Sequence, residues 1–416
     1  MAYKRPVGTQ DIIPGVVEEW QYVESIFRAM AGDYGYGEVR TPIFEDTDLF
    51  LRSVGQETDI VRKETYTFED RGGRSLTLRA EGTAPAVRAY LENNLWNQDR
   101  ERVVKLYYVA PIFRYDRPQA GRYRQHHQLG LEALGSPRPE VDAEIIAFAW
   151  NLFGALGIKG VSVLINSVGC PLCTPGYVEK LQAVMAESLG ELCADCKIRI
   201  HTNPLRILDC KLCADYVARA PKHADELCGD CDEHLMAVQA TLDLLGVPYT
   251  HDHTIVRGLD YYTRTAFEFQ VEGIGAQASI GGGGRYDGLV EQCGGKPTPG
   301  VGVGIGLERV LLARRHSGVE FSTDERDGTL VVAMGDGAWN EALKLCYELR
   351  AAGVRSDVDY RRRSLKAQLR LADSERYVSA AILGEDEIAR GVVSLKDMAT
   401  GEQREIRRGE LVEELR

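Results

Sequence analysis

The pattern of hydrophobic and polar positions changes along the chain and predicts one domain rich in strands at the start. VVEEWQYVESIFRAMAGDYG (16–35) has the spacing of an amphipathic helix. LTLRAEG (76–82), VVKLYYVAPIFRYD (103–116) and QLGLEALG (128–135) read as strands, with many β-branched or aromatic residues. Because strands dominate and helices are few, residues 1–320 are expected to form an α+β domain on an antiparallel sheet.

A second pattern begins after the polar stretch FSTDERDG (321–328), which reads as a linker. Strands and helices alternate here: strands TLVVAMG (329–335), VRSDVDY (354–360) and YVSAAILG (377–384), and helices WNEALKLCYELRAAG (339–353) and SLKAQLRLADSER (364–376). Such alternation is typical of a parallel or mixed sheet covered by helices. Residues 328–416 are therefore predicted to be a separate α/β domain.

Three stretches have unusual patterns. RGLDYYTRTAFEF (257–269) reads as a strand only in its second half. GGGGRYDG (281–288) allows close approach of the backbone, although a flexible turn would also explain four glycines. GVGVGIGLERVL (300–311) predicts a strand that runs into a helix. None of the glycine-rich stretches has the GxxxxGK[ST] spacing of a phosphate-binding P-loop.

Length and charge narrow the class of protein. A chain of 416 residues is too long for one typical core, so two or three domains are expected. The net charge of −12 argues against non-specific coating of nucleic acid, although a local basic face stays compatible with it. The sequence has no apolar run of membrane-spanning length and no secretory signal, so we expect a cytoplasmic protein without membrane contact.

Eight of the ten cysteines form four CxxC pairs within about sixty residues. The pairs are Cys170 and Cys173, Cys193 and Cys196, Cys210 and Cys213, and Cys228 and Cys231. Zinc commonly takes four thiolates from two such pairs, so one or two zinc sites are predicted; small buried hydrophobic residues are the alternative. The spacing leaves open which pair joins which. The segment of residues 170–245 interrupts the larger domain and reads as an inserted domain.

Arginines and carboxylates concentrate in a few places. Arg114, Arg117, Arg122 and Arg124 surround a turn, and guanidinium groups bind phosphate or carboxylate in a bidentate manner, although an exposed charged hairpin would look similar. Gln128 and Glu132 lie on one face of the following strand, where a glutamate needs a partner or a ligand. Together with the glycine-rich strands, these groups indicate a site for a polyphosphate with a divalent metal.

Basic residues also cluster in the second domain. The cluster contains Arg355, Arg361, Arg362, Arg363, Lys366, Arg370 and Arg376. A solvated charged face and a nucleic-acid contact surface both fit this pattern.

At this point the motifs resemble a known family, the bacterial histidyl-tRNA synthetases, over essentially the whole chain. GYGEVRTPIFE (35–45), FRYDRPQAGRYRQHHQLGLEALG (113–135) and GVGIGLERVL (302–311) resemble the three motifs of class II aminoacyl-tRNA synthetases. RGLDYYTRTAFEF and GGGRYDGL (282–289) resemble two signatures of the histidine enzymes, and LTLRAEGTAPAVR (76–88) resembles a substrate-binding segment. The resemblance implies a class II catalytic domain, an insertion domain and a C-terminal anticodon-binding domain.

The resemblance also implies the reaction and its residues. L-Histidine and ATP would form histidyl-adenylate with Mg²⁺, and histidine would pass to tRNA(His), with Arg257 as the catalytic residue. The implied histidine-binding residues are Glu81, Gly82, Thr83, Arg114, Gln128, Glu132, Arg257, Tyr261 and Tyr262. The implied ATP-binding residues are Arg114, Arg122 and Arg309, and the implied tRNA-binding residues are Gln119, Arg361, Arg362 and Arg363. Which acid meets the amino group and which meets the imidazole stays open.

A homodimer is implied as well, through the first class II motif, and any zinc would be structural because many members lack the cysteines. Two other readings remain as alternatives. One is the synthetase-like regulatory subunit of ATP phosphoribosyltransferase, which binds histidine but lacks the C-terminal domain. The other is a zinc-dependent nucleic-acid-binding module, which would leave Glu81, Glu132 and Arg257 unexplained.

Overall fold

The computed structural model describes residues 3–53, 63–97, 102–256, 258–274, 278–321 and 325–416. The backbone contacts divide the chain into two compact units, Met1–Glu320 and Phe321–Arg416. Residues 322–324 of the predicted linker lie outside the described residues. No helix in the described part of the chain is both long and apolar enough to cross a membrane.

Eleven strands and ten α-helices are assigned among the described residues of the first unit. The strands are β1 (Gly37–Glu38), β2 (Phe44–Asp46), β3 (Thr67–Glu69), β4 (Ser75–Leu78), β5 (Val104–Phe113), β6 (Gln125–Leu134), β7 (Val161–Ser167), β8 (Thr250–His251), β9 (Thr263–Val271), β10 (Ser279–Arg285) and β11 (Gly300–Gly306). The helices are α1 (Val17–Asp33), α2 (Thr47–Ser53), α3 (Thr83–Glu92), α4 (Pro139–Ala155), α5 (Thr174–Ala186), α6 (Ala194–Thr202), α7 (Ala214–Val217), α8 (Gly229–Leu245), α9 (Leu289–Gln292) and α10 (Leu307–His316).

The centre of this unit is an eight-stranded sheet in the order β1-β5-β6-β11-β10-β9-β7-β8. The pairs from β5 to β7 are antiparallel, and only the two edge strands pair in parallel. Helices α1 and α4 supply much of the apolar core, where Phe27 and Phe148 meet edge to face at 5.9 Å. The predicted α+β unit on an antiparallel sheet is therefore confirmed. A smaller sheet has the order β2-β4-β3.

The GGGG stretch lies in the middle of the sheet as strand β10, so the alternative of a flexible turn does not hold. Each of its glycines has partners on β9, β11 or both. Strand β9 begins at Thr263, which confirms that only the second half of RGLDYYTRTAFEF is a strand.

The cysteine-rich insertion lies between β7 and β8 and contains α5 to α8 with three short 3₁₀ turns, Pro204–Ile207, Lys211–Cys213 and His223–Glu226. Helix α8 ends at Gly246, whose φ of 69° is the left-handed conformation that terminates many helices.

The second unit has a five-stranded sheet in the order β13-β12-β14-β15-β16. Its strands are β12 (Thr329–Ala333), β13 (Ser356–Val358), β14 (Ser379–Leu383), β15 (Val392–Asp397) and β16 (Gln403–Arg407), and its helices are α11 (Trp339–Ala351), α12 (Leu365–Ser374), α13 (Glu385–Arg390) and α14 (Leu411–Glu414). Strand β12 is parallel to both neighbours, whereas β14, β15 and β16 pair antiparallel. The predicted mixed α/β domain is confirmed, although β15 and β16 were not predicted.

Candidate active site

A large pocket of about 1160 Å³ lies over the glycine-rich strands of the first unit. Most of the sequence-predicted small-molecule residues line it: Glu81, Thr83, Arg114, Arg122, Gln128, Tyr261, Tyr262 and Arg309. Arg257, the predicted catalytic residue, lies outside the described residues. Segments that are more than 200 residues apart along the chain therefore line one pocket.

Glu132 is fully buried on β6 beneath this pocket and is surrounded by hydroxyl groups. Its Oε1 accepts hydrogen bonds from Thr83 Oγ1 at 2.7 Å and from Tyr108 at 3.2 Å, and its Oε2 accepts one from Tyr286 at 2.5 Å. Burial raises the pKa of Glu132 to about 8, although the hydroxyl donors oppose the shift. The ionised carboxylate has about four acceptor positions, so in that form Glu132 can accept one more donor.

Two glycines of β11 provide the space for side chains from β6. A methyl group at Gly302 would lie 1.9 Å from Glu132 Oε2, and one at Gly304 would lie 1.7 Å from Gln128 Nε2. Both acceptor side chains therefore lie flat across the neighbouring strand. Gln128 Oε1 is buried and has no hydrogen-bond partner among the described residues. A buried carbonyl oxygen in a pocket wall requires a donor, which a ligand can supply.

Glu81 closes the pocket from the N-terminus of helix α3. Its two carboxylate oxygens accept hydrogen bonds from the backbone N–H groups of Thr83 at 2.7 Å and Ala84 at 2.6 Å. The hydroxyl of Tyr261 donates to the same carboxylate at 3.3 Å. Burial raises the pKa of Glu81, and the two backbone donors act in the opposite direction. The carboxylate of Glu81 therefore satisfies backbone N–H groups in the first turn of helix α3. Gly82, between Glu81 and Thr83, occupies the N-cap position.

The pocket lining also contains a group of basic residues. Arg114 Nε donates to the carbonyl of Ala80 at 2.7 Å, and Arg309 Nε donates to that of Ser279 at 2.9 Å, so both guanidinium groups are held by backbone. Arg122 forms an ion pair with Asp116. The pKa of Arg309 is lowered first by burial and then by the charge of Arg122. Two guanidinium groups close enough to repel each other in a pocket wall form a site for an anion.

His126 also lines the pocket. Burial lowers its pKa to about 3, and the charge of Arg114 adds to the shift. The imidazole is therefore neutral at pH 7 and can both donate and accept a hydrogen bond.

Several residues in the pocket lining or beneath it were not predicted from the sequence. Tyr108 and Tyr286 hold Glu132, yet nothing distinguishes them from core tyrosines in the sequence, apart from the position of Tyr286 within the GGGRYDGL signature. Glu268, at an even position of β9, lines the pocket near Arg309. The insertion contributes a wall with Arg199, Arg206, Leu208, Asp209, Cys210 and Lys211.

The predicted tRNA-binding residues are found in two separate loops. Gln119 pairs with Arg122 across the tight turn of the loop between β5 and β6. Arg361, Arg362 and Arg363 are exposed after β13, where buried Asp359 accepts hydrogen bonds from the backbone and side chain of Arg363. The guanidinium of Arg362 lies 4.5 Å from the centre of the Trp339 ring. A buried aspartate thus organises an exposed basic loop.

Comparison with known protein families shows the class of protein to which this fold and pocket belong. The family model described as "Histidyl-tRNA synthetase" matches residues 8–171 and 178–310, and the model described as "Anticodon binding domain" matches residues 329–416. A sheet unit with an acidic and basic pocket, followed by an anticodon-binding unit, defines an aminoacyl-tRNA synthetase. The presence of the second unit disfavours the regulatory-subunit alternative.

Individual relatives narrow the class further. The chain is 53% identical to the histidine–tRNA ligase of Pelotomaculum thermopropionicum, covering 100% of this chain and 98% of the relative. It is 50% identical to the histidine–tRNA ligase of Desulforamulus reducens, with 99% and 98% covered. The crystal structure of apo histidyl-tRNA synthetase from S. aureus aligns over 100% of both chains with a TM-score of 0.84 and 39% identity. The chain belongs to the histidyl-tRNA synthetase family, so the family and ligase class predicted from the sequence are confirmed.

Proposed function

We propose that the pocket joins L-histidine to ATP as histidyl-adenylate and then transfers histidine to the 3′ end of tRNA(His). The overall reaction, the charging of tRNA(His) with histidine, is that of the family to which the chain belongs. The observation that carries the two-step proposal is that one pocket contains both a buried acidic group with hydroxyl donors and a group of guanidinium side chains. Histidine has two kinds of N–H donor and ATP has a polyphosphate, so the two groups match the two substrates.

The acidic group is proposed to bind histidine. When ionised, Glu132 has one acceptor position left, and Gln128 Oε1 has no partner among the described residues. Histidine brings an imidazole N–H and an ammonium group, which are donors of the required kind. We assign the imidazole to Glu132, since Glu132 is fully buried. The ammonium group is assigned to Gln128 and to the remaining acceptor position of Glu81, with Thr83, Tyr261 and Tyr262 completing the walls.

The basic residues Arg114, Arg122 and Arg309 are proposed to bind the phosphates of ATP. The histidine carboxylate attacks the α-phosphorus, the bond to the β-phosphate oxygen breaks, and pyrophosphate leaves. Negative charge develops on the non-bridging oxygens, so fixed guanidinium groups stabilise the transition state. By family resemblance, Arg257 would contact the α-phosphate during activation and would also bind histidine.

ATP is used by such enzymes with Mg²⁺, and the pocket has a suitable donor. Glu268 lies near Arg309, and Mg²⁺ prefers carboxylate and phosphate oxygens. When bound, the ion neutralises charge on the phosphates.

The remaining partners follow from the same proposal. Gln119 would contact the acceptor end of tRNA(His), and Arg361, Arg362 and Arg363 would contact the anticodon region, which is supported by their exposure. A homodimer is supported by exposed apolar residues on the small sheet, where Phe44 and Phe68 are 50% and 44% exposed and pack against each other. Exposed apolar patches of this kind mark sites of protein–protein association. The proposed location is the cytoplasm, where tRNA is charged.

ATP–pyrophosphate exchange tests the first step without tRNA. We expect exchange with histidine and none above background with the other nineteen amino acids, because Glu132 and Gln128 require donors at two positions. If no amino acid supports ATP–pyrophosphate exchange while histidine still binds in calorimetry, the regulatory-subunit alternative would be supported instead. Aminoacylation of tRNA(His) transcripts then tests the second step.

A charge-removing variant tests the phosphate assignment. Arg309→Met is expected to raise KM for ATP about tenfold, since a hydrogen bond to a charged group contributes about 1.5–3 kcal/mol and Arg122 retains part of the interaction. KM for histidine should stay within about twofold. Arg315→Met is the matched control, because Arg315 is on the same helix but pairs with Glu19 outside the pocket. Equal effects on both substrates would argue against the assignment.

A further inference from the structure

The eight CxxC cysteines fall into two separate groups of four. The outer cluster consists of Cys170, Cys173, Cys228 and Cys231, and the inner cluster consists of Cys193, Cys196, Cys210 and Cys213. Within each cluster, all four sulfur atoms lie within 4.8 Å of one another. The pairing that the sequence left open is therefore nested: the first CxxC pair meets the fourth, and the second meets the third.

The distances between the sulfur atoms match tetrahedral coordination. In the outer cluster, Sγ of Cys170 lies 3.8 Å from Sγ of both Cys173 and Cys228. In the inner cluster, Sγ of Cys193 lies 3.7 Å from Sγ of Cys210. Zinc–sulfur bonds of about 2.3 Å in a regular tetrahedron give sulfur–sulfur distances of about 3.8 Å. A disulfide would need about 2.05 Å, and all eight cysteines are free.

The backbone around the clusters is arranged to hold thiolates. Cys173, Cys193 and Cys228 each occupy the N-cap position of a helix, where the helix dipole favours negative charge. The N–H of Cys170 donates to Sγ of Cys173 at 3.3 Å, and the N–H of Cys193 donates to Sγ of Cys213 at 3.3 Å. Such N–H donors satisfy sulfur atoms that carry negative charge when they bind a metal.

An independent observation points to a ligand at the outer cluster. His223 is fully buried, stacks on Tyr177 with ring centres 4.0 Å apart, and has no hydrogen-bond partner for either ring nitrogen among the described residues. A methyl group at Gly169 would lie 2.9 Å from Sγ of Cys173 and 3.0 Å from Nε2 of His223, so both atoms face the same small space. A metal-bound thiolate there would give the buried imidazole an acceptor.

We infer that the insertion binds two structural zinc ions, one in each cluster, and that the inner ion fixes a wall of the active-site pocket. The outer ion joins the two ends of the insertion, since Cys170 follows β7 and Cys228 precedes α8. The inner ion closes the segment whose residues Leu208, Cys210 and Lys211 line the pocket. The insertion is built on a small apolar core of short elements, and metal binding supplies folding free energy to such domains.

The metal content of the purified full chain is the first test. We expect two zinc ions per chain by elemental analysis and by native mass spectrometry, in protein produced without chelators. Tetrahedral S₄ sites also accept iron, so iron in place of zinc would overturn the metal assignment. Absence of bound metal, or intramolecular disulfides in protein that was alkylated during lysis, would overturn the proposal as a whole.

Single variants separate the two sites. Cys170→Ser and Cys193→Ser change half-buried cysteines, and each is expected to leave one zinc ion per chain. Cys346→Ala, in the second unit and outside both clusters, is the control and should retain two. Loss of both ions, or of neither, in the two single variants would contradict separate nested sites.

Hydrogen exchange tests the role of the inner ion independently of activity. In Cys193→Ser, exchange of backbone amides should increase about residues 193–217, including the pocket wall, and should stay unchanged in α1 and α4. Asn203 donates to Asp260 Oδ1 at 2.7 Å, so faster exchange should extend to the segment beside Asp260. Unchanged exchange in both segments, with the inner ion absent, would overturn the claim that this ion fixes the wall.

Discussion

Glu132→Gln is expected to lower the histidine-dependent exchange rate at low substrate about 100-fold, mainly by raising KM for histidine. The glutamine keeps the size of the side chain but cannot ionise, whereas Glu132, whose pKa burial raises to about 8, becomes a carboxylate when the donors of histidine bind to it. Its NH₂ group also brings donors to a position where Thr83, Tyr108 and Tyr286 already donate. A hydrogen bond to a charged group contributes about 1.5–3 kcal/mol, and about 3 kcal/mol corresponds to about 100-fold. Steady-state exchange with varied histidine measures the effect.

Two comparisons make this result specific. KM for ATP should change less than about threefold, since the phosphates are assigned to the arginines of the pocket. Glu144→Gln is the matched control, because Glu144 is also in the first unit but pairs with Lys105 away from the pocket. Equal weakening of histidine and ATP in Glu132→Gln would remove Glu132 from histidine recognition.

The pH dependence of the thermal stability of Glu132→Gln tests the raised pKa of Glu132. Burial raises the pKa of Glu132 to about 8, above its ordinary value of 4.5. The folded state therefore prefers the protonated group, and wild-type stability from this group is lost as pH rises from about 4.5 through 8. Glutamine does not titrate, so Glu132→Gln should gain thermal stability relative to the wild type between pH 5 and pH 8.5. A relative loss over that interval would contradict the raised pKa.

The sequence indicated the polar residues that line the pocket, but it did not indicate the residues that hold them in place. Arginines, carboxylates and glycines are visible as residue types, so Arg114, Gln128, Glu132 and Arg309 could be selected from motifs and resemblance. Their supports could not be selected, because a tyrosine such as Tyr108 gives the same local signal whether it packs in a core or donates to a buried glutamate. That difference depends on which strands pair, and strand pairing is long-range.

The GGGG stretch and the cysteines illustrate the same limit. Four successive glycines have the local signature of a turn, yet a methyl group at Gly283 would lie 1.9 Å from the carbonyl oxygen of Gly302 on β11. Close approach of two strands, which is a tertiary requirement, therefore outweighs the low strand propensity of glycine. Likewise, identical CxxC spacings contain no information about partners, and only the folded insertion brings the outer and inner pairs together.

Arg285→Met is expected to have the largest effect on stability, about 3–5 kcal/mol, because it breaks a fully buried ion pair. The side chains of Arg285 and Asp142 are both 0% exposed, and Arg285 Nε donates to Asp142 Oδ1 at 3.1 Å. Burial disfavours the ionised form of Asp142, but a hydrogen bond from His234 and the charge of Arg285 outweigh it and lower the pKa. Removing Arg285 leaves a buried carboxylate without its main countercharge.

Thermal unfolding of the full chain, followed by circular dichroism, measures this loss as a fall of roughly 5–15 °C in the midpoint of the first unit. The matched control is Arg40→Met, because the Arg40 side chain is 78% exposed and its pair with Glu38 should contribute at most about 1 kcal/mol. Combining Arg285→Met with Asp142→Leu should recover part of the lost stability, since the unpaired charge is then removed as well.

If Arg285→Met unfolds at the same temperature as Arg40→Met, the buried pair does not stabilise the end of β10 against α4. If the double variant is less stable than Arg285→Met, lost packing rather than the unpaired carboxylate accounts for the effect.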